Sequence, residues 1–532
     1  MELLYSIKRE INGQINYSIN SFTDRVKVIM FSAFIWGIFA HGFMLFNKFS
    51  FHDDIVLLTG MRTEGLISQG RWGMAFFVWI LNKAFIFDYS LPAFKGLSAI
   101  FLMGVFWIAL SNWLELKNRL GLILISGIMI VCSTMASSFG YMFSAPFLAM
   151  QLIFSLVSCN IICKAKTILE LGIGICICTF TIGIYQIGFV YILSLFILFM
   201  IHQTLNERYS DKEFFLSGLR YLIISIISLV LYLAVNQIVL WLFNIKMTEY
   251  YGLNRMGIVS AGEYLKRAVK AYITFFLPNR FTYGNAYPRL AEILYWMIIF
   301  VLFIYSFCCM LHWIKVKKTN IMMQFTVLMF LFPVTTELLV VLSPAVYVHS
   351  MFTQNFVYVL LFLIIEKNFE FRFQGMSRLK MVIAYSCFGV FLLLNIIFCQ
   401  FDNACYLKAN MLQEHAISYF NNLITRIQMV EGYTEETPIY FSGGDHKKEI
   451  DSVRSEFDVI EINPYDASSL SNNYVWYTFM ENWCNFKQPV INNPYEYFSK
   501  EELDGMPIYP DDGGVKMING IIVVRFSEEI VE

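Results

Sequence analysis

Two adjacent carboxylates, Asp53 and Asp54, stand in the stretch FHDDIVLLTGMRTEGLISQGRW, Phe51 to Trp72, which follows the first long apolar run. A carboxylate pair suits two kinds of chemistry: abstraction of a proton from an acceptor hydroxyl by a general base, or ligation of a hard divalent cation. The competing reading is architectural, since either aspartate can cap a helix beginning at Ile55. Burial at a membrane interface would raise a carboxylate's pKa and suit it to taking a proton.

Basic residues gather in two long loops expected on the same side as this pair: Arg62 and Arg71 in the first, and Arg255, Lys266, Arg267, Lys270, Arg280 and Arg289 in or beside the second. Such loops disfavour positive charge on the outer face, so the concentration invites an anionic ligand, such as a phosphate held bidentately by arginine. Snorkelling to lipid headgroups is the simpler reading for most of them; Arg71, closing the loop of the aspartate pair, is the one favoured for phosphate. Glu64 lies in the same loop and is a further candidate to line a substrate site. Glu337, in LFPVTTELLVVL, falls within the outer third of a span, where a charge is costly; it is either functional or paired, with Lys95 as the candidate partner. His349, Gln354 and Asn355, and the pair Tyr185-Gln186, could contact a polar ligand or link helices.

Other chemistries lack their signatures. The chain has no P-loop, no GxGxxG between strand and helix, no zinc spacing and no GxSxG elbow. The formal net charge is -1, with no basic face for nucleic acid. Most of the 11 cysteines lie in or beside apolar runs, where a thiol is a small hydrophobe. Cys405 and Cys484 fall in the polar C-terminal part and would pair as a disulfide if that part faces an oxidising compartment.

The elements that carry these residues are set by composition. Of 532 residues 57% are apolar and 15% charged, and the mean hydropathy is +0.57, which defines a polytopic α-helical membrane protein. The first run, Val28 to Phe46, has no cleavage site behind it and reads as an anchor. Further spans are expected at about 93–112, 120–137, 142–161, 168–184, 185–202, 221–243, 290–312, 321–342, 346–365 and 381–400, about 11 in all. Met74 to Phe87, interrupted by Asn82 and Lys83, falls short of the roughly 20 residues a span needs and reads as interfacial or re-entrant. With that count the Lys and Arg clusters of the short loops all fall inside, and the N-terminus is cytoplasmic. The aspartate pair then faces outward.

Residues 1–400 thus form a transmembrane domain with outer loops 47–92 and 244–288, and 401–532 a small outward α/β domain. Within the first loop Ile55, Leu58, Met61 and Leu66 mark one interfacial helix; in the second, Ser260 and Glu263 make a capping box for a helix with a basic side. In the C-terminal part, Asn410 to Gln428 and YVWYTFMENW read as helices, and TPIYFSG and FDVIEIN as strands. Asn519-Gly520 marks a hairpin.

The order of these parts resembles a known family. One span, an outer loop opening on Asp-Asp and closing on Gly70-Arg71-Trp72, many further spans, and the C-terminal stretches DNACYLKANMLQEHAISYFNNLITRI and MPIYPDDGG...GIIVVRF look like the Gtr-type O-antigen glucosyltransferases, the glucosyl transferase II family of bacteria and their phages. The resemblance implies a GT-C type glycosyltransferase of the bacterial inner membrane with a periplasmic C-terminal domain. It implies an undecaprenyl-phosphate glucose donor and an acceptor sugar on lipid-linked O-antigen. No cofactor is implied beyond the donor, and no metal is expected to be required, although a divalent cation would be compatible. Carried onto this chain, Asp53 and Asp54 match the acidic first-loop motif and Arg71 the Gly-Arg after it. The competing classes are an O-antigen polymerase or ligase, and a lipid-linked sugar flippase or transporter, which would place ionisable pairs at mid-membrane in two matching halves.

Overall fold

The computed structural model describes residues 22–85, 89–249, 260–280, 282, 287–343, 346–370, 377–443, 457, 460, 462–472, 474–491 and 496–527. Arg255, residues 1–21, and Asp458, Val459 and Glu461 of the expected FDVIEIN strand lie outside the described residues, and the described remainder, Phe457, Ile460, Ile462 and Asn463, belongs to no named strand. The chain divides into two compact units, one of Met1–Asn47 with Thr59–Asn403, the other of Lys48–Leu58 with Ala404–Glu532. Residues Lys48–Leu58, expected to belong with the membrane domain, cluster instead with the C-terminal part.

In the first unit every apolar run expected to span is helical, but not every one is a single long helix. Eight described helices have the length and apolarity to cross a bilayer, from Phe22–Phe46 to Val382–Gln428. A ninth would be the pair Arg119–Val131 and Ser133–Phe139, bent by 41°. The bend falls at Cys132, whose extended backbone (ψ 145°) ends the first helix and begins the second. Ile168–Ile184 has only 17 residues, and the expected span 346–365 is divided between 3-10 turns and the helix Phe356–Glu370. Met74 to Phe87 is, as its length required, a short helix, Trp72–Phe85, of 14 residues. Phe77 of that helix packs edge-on against Phe180 at 5.5 Å, while Phe76 and Trp79 stay about half exposed.

The ends of these helices are closed by side chains. Thr167 with Glu170, and Ser210 with Glu213, form reciprocal capping boxes. The loops carrying the Lys and Arg clusters are drawn together by acids: Arg208 grips Glu115 through two hydrogen bonds of 2.9 and 2.8 Å, Lys318 pairs with Glu207, and Glu366 accepts from the Lys117 and Asn118 backbone at 3.1 and 2.8 Å. These loops therefore share one end of the bundle.

The expected single helix after the aspartate pair is corrected. Two short helices, Asp53–Val56 and Thr63–Ser68, are separated by a turn in which Gly60 has φ 115°, a conformation open to glycine and costly to others. In the second loop the helix Ala261–Phe276 forms, but only half of its capping box does. Ser260 accepts from the Glu263 backbone at 3.3 Å, whereas the Glu263 side chain turns to Arg267.

The second unit is built around the C-terminal part of one helix, Ser377–Gln428, 52 residues long, where a break had been expected near residue 401. Cys405, Ala409, Leu412, Ala416, Phe420, Leu423 and Ile427 recur at intervals of three and four and are all buried. They form the stripe that a helix of 3.6 residues per turn presents to a core. Three strands, β1 (Ile439–Ser442), β2 (Val515–Ile518) and β3 (Ile521–Arg525), make a sheet in the order β1-β3-β2, with β1 parallel and β2 antiparallel to β3. The expected hairpin is there: Asn519 and Gly520 take φ 50° and 79°, the two positive values of a two-residue turn that matches strand twist. Tyr440, Phe498, Leu503, Met506, Ile521 and Val523 form its core. The expected disulfide is corrected: Cys405 is a buried thiol on the helical stripe, and Cys484 a thiol ending the helix Trp476–Cys484, so packing accounts for the first and helix position for the second.

Gly121 packs against the ring of Phe362, and a Cβ there would stand 1.6 Å from the ring, whereas at Gly172 it would meet nothing within 4 Å. Gly121→Ala is expected to lower the thermal midpoint of the detergent-solubilised protein by an overpacking cost of about 1–3 kcal/mol, and Gly172→Ala to leave it unchanged or raised.

Candidate active site

The segment Lys48–Leu58 is fixed within its unit by alternation. Phe49 and Phe51 point inward, each 1% exposed, with the Phe51 ring 5.6 Å and the Phe49 ring 6.5 Å from that of Tyr465. The backbone between is held by hydrogen bonds from distant parts of the chain. Ser50 N donates to Gln413 Oε1 (2.9 Å), His52 N to the Ser469 carbonyl (2.9 Å), and Asn482 Nδ2 to the Ile55 carbonyl (3.4 Å). His52 then takes φ 47° and ψ -125°, an unfavourable backbone for a side chain with a Cβ, and begins the one-turn helix Asp53–Val56. His52, not an aspartate, is the N-cap, and its side chain makes no capping hydrogen bond, so the competing reading of an aspartate as the N-cap does not hold.

The two aspartates have different surroundings. Asp54 is fully buried: its Oδ2 accepts from Lys48 Nζ at 2.7 Å and from Ser50 Oγ at 2.5 Å. Asp53 has a side chain 36% exposed, its Oδ1 lies 3.0 Å from His52 Nδ1, and the Tyr474 phenol is near enough for the Asp53 charge to act on it. Burial pulls the His52 imidazole below its ordinary 6.5, but the hydrogen bond and charge of Asp53 and the charge of Asp466 outweigh it, and its pKa is raised. Burial, then the charge of Asp53, raises the Tyr474 phenol.

Arg71 belongs to the other unit and has its own support. Gly70 takes φ 74°, its carbonyl accepts from Tyr232 Oη at 3.1 Å, and Gln186 Nε2 donates to the Gln69 carbonyl at 2.7 Å. The Arg71 guanidinium lies over the Tyr185 ring, 4.5 Å from its centre. Among the described residues, Arg71 Nε and the neighbouring Trp72 Nε1 are buried with no hydrogen-bond partner. Two such donors side by side are suited to an acceptor-rich ligand, since a buried donor left unmade is costly. Tyr185-Gln186, a weak signal in the sequence, is thus the support of this loop.

The other expected residues are less organised. Arg62, Glu64, Lys266 and Arg280 are exposed, and Arg267 is committed to Glu263 at 3.2 Å. Glu337 is 3% exposed, and its Oε1 has no hydrogen-bond partner among the described residues. No ion pair joins it to Lys95 among the described residues; the Lys95 ammonium donates to the Phe143 carbonyl at 2.8 Å. His349 stacks on Tyr347, ring centres 5.8 Å apart. Among the described residues no three His, Cys, Asp or Glu side chains gather as metal ligands. His52 and Tyr474 were not singled out from the sequence. The His-Asp-Asp run was the available signal for the first, and nothing local marked the second.

Apolar helices of spanning length, a half-exposed carboxylate held by its neighbours and an arginine with an unmatched donor fit the class of membrane-bound group-transfer enzymes. The sequence profile of the glucosyl transferase GtrII family matches residues 42–366, more than half of the chain, and the protein belongs to that family of glucosyltransferases. The match takes in Asp53, Asp54, Arg71, Glu337 and His349 and stops before Ala404–Glu532. No curated protein matches the chain.

Removing the partner of a buried charge leaves the charge uncompensated. Lys48→Met is therefore expected to lower thermal stability by about 1–3 kcal/mol, the cost of an unmatched buried polar group. Lys487→Met, whose ammonium is 77% exposed and pairs with Glu481, is expected to change it little. Equal melting of both variants and wild type would contradict the role given to Lys48.

Proposed function

We propose that this membrane protein transfers a glucosyl group from a polyprenyl-phosphate sugar, undecaprenyl-phosphate glucose, to a sugar hydroxyl of lipid-linked O-antigen on the periplasmic side of the bacterial inner membrane, with Asp53 as general base. The observation that carries this reading is the asymmetry of the pair: Asp54 is 0% exposed and already engaged by Lys48 and Ser50, whereas Asp53 has a side chain 36% exposed. An incoming hydroxyl can approach Asp53, while Asp54 holds the segment.

The chemistry follows from these surroundings. Asp53 takes the proton of the acceptor hydroxyl as its oxygen bonds to the anomeric carbon, and the bond from that carbon to the phosphate oxygen breaks. The electron pair leaves with the polyprenyl phosphate, whose growing charge is best met by hydrogen-bond donors fixed in advance. Arg71 is the first candidate for that role, because its planar donor set suits phosphate and its Nε has no partner among the described residues. Arg62, Lys266 and Arg280, being exposed, have room to follow a lipid-borne anion; Arg267 would first have to leave Glu263. A flippase or transporter is disfavoured by the family, whose members are glucosyltransferases. A lipid-borne donor also accounts for an active centre on a chain with so many apolar helices.

The test is sugar transfer in membranes supplied with undecaprenyl-phosphate glucose and lipid-linked O-antigen. Asp53→Asn should lower kcat by roughly 100-fold or more, the usual scale for a general base, with protein level and melting close to wild type. Asp54→Asn should instead lower melting temperature and the amount of folded protein. Wild-type turnover by Asp53→Asn at matched protein level would refute the assignment.

A further inference from the structure

The carboxylate given the role of base is not alone. On one side His52 Nδ1 lies 3.0 Å from Asp53 Oδ1, and on the other stands Tyr474, from the C-terminal part of the same unit, whose phenol feels the Asp53 charge. The rings of His52 and Tyr474 are themselves 5.6 Å apart at 45°, so the three side chains form one contiguous group. His52 is held from behind: its backbone N–H donates to the Ser469 carbonyl at 2.9 Å, and Ser469 is fixed in turn by Asp466, whose Oδ1 accepts from Ser469 N at 2.9 Å and from Ser468 Oγ at 2.5 Å.

Two features show that this grouping is more than surface pairing. His52 occupies a backbone conformation that disfavours every residue with a Cβ, and such strain persists only where surrounding contacts impose it. The charges around the imidazole are also one-sided. Asp53 and Asp466 act on it, the phenol of Tyr474 adjoins it, and the nearest ammonium of the segment, Lys48, is bound to Asp54 instead. An imidazole so placed favours its protonated form, and by reciprocity favours the ionised form of the carboxylate it touches.

We propose, resting on the reading of Asp53 as the base, that His52 and Tyr474 are its positioning residues. They hold the Asp53 carboxylate by donating to it, His52 at Oδ1, and keep it ionised until the acceptor arrives. The C-terminal part of the chain, which lies outside the matched family region, thereby contributes a side chain to the catalytic centre. Neither residue exchanges a proton with substrate in this scheme; the proton stays on Asp53 until product leaves, and then passes to water.

The experiment is the pH profile of kcat and kcat/KM for the purified full-length protein in lipid nanodiscs, with undecaprenyl-phosphate glucose and lipid-linked O-antigen, for wild type, His52→Gln, Tyr474→Phe and Asp53→Asn. Losing a donor to a charged acceptor should lower kcat roughly 10- to 100-fold in His52→Gln, less in Tyr474→Phe, with the KM for donor little altered. In both variants the acid limb should move to higher pH, because a carboxylate without these donors is protonated more readily. Tyr474 is 51% exposed, so its phenylalanine variant tests the point even if His52→Gln folds poorly. An acid limb unmoved in Tyr474→Phe, with Asp53→Asn inactive, would overturn the positioning role while leaving Asp53 as base. Full activity in Asp53→Asn would instead remove the reading on which it rests.

Discussion

A carboxylate taken wholly out of water must be compensated, and the compensation of Asp54 organises the segment that carries the proposed chemistry. Lys48 and Ser50 both reach its Oδ2, which folds residues 48–54 back on themselves. With Phe49 and Phe51 buried and Ser50 N bound to Gln413, the segment has little choice of path. The adjacent residue, Asp53, is then turned outward by the one-turn helix. One aspartate serves as anchor so that the other can be exposed without being mobile.

The cost of the arrangement is local strain at His52 and a charge held in a buried place; its yield is a carboxylate fixed before substrate binds. General bases act efficiently when geometry is set in advance and the proton acceptor is ionised at working pH. The same economy recurs at Arg71. There a glycine at positive φ and donors from Gln186 and Tyr232 hold the backbone of the loop, while Tyr185 supports the guanidinium from its face and, among the described residues, the Arg71 Nε stays unused.

What could be read from the sequence was whatever local chemistry decides. The turn at Asn519-Gly520 needs positive φ twice and announces itself; the shortness of Trp72–Phe85 follows from counting residues against bilayer thickness. Long-range closure was invisible. Nothing near Lys48–Leu58 indicates that Gln413, Ser469 and Asn482, hundreds of residues away, will hold it, and so the grouping of that segment with the C-terminal part was missed. The long helix Ser377–Gln428 was cut at its polar middle because polarity marks where an apolar run stops, whereas a helix continues as long as its buried stripe does. Two cysteines in a polar region suggested a bond; one of them turned out to be a core residue of that stripe.

The division of labour between the aspartates can be tested by chemical rescue. Asp53→Ala and Asp54→Ala are each assayed for sugar transfer with and without sodium formate, a small carboxylate able to occupy the vacated position. Formate should restore part of the transfer lost in Asp53→Ala and none of that lost in Asp54→Ala, because only the first lacks a proton acceptor in an accessible place. Rescue of Asp54→Ala in preference to Asp53→Ala would contradict the account and exchange the roles of the two residues.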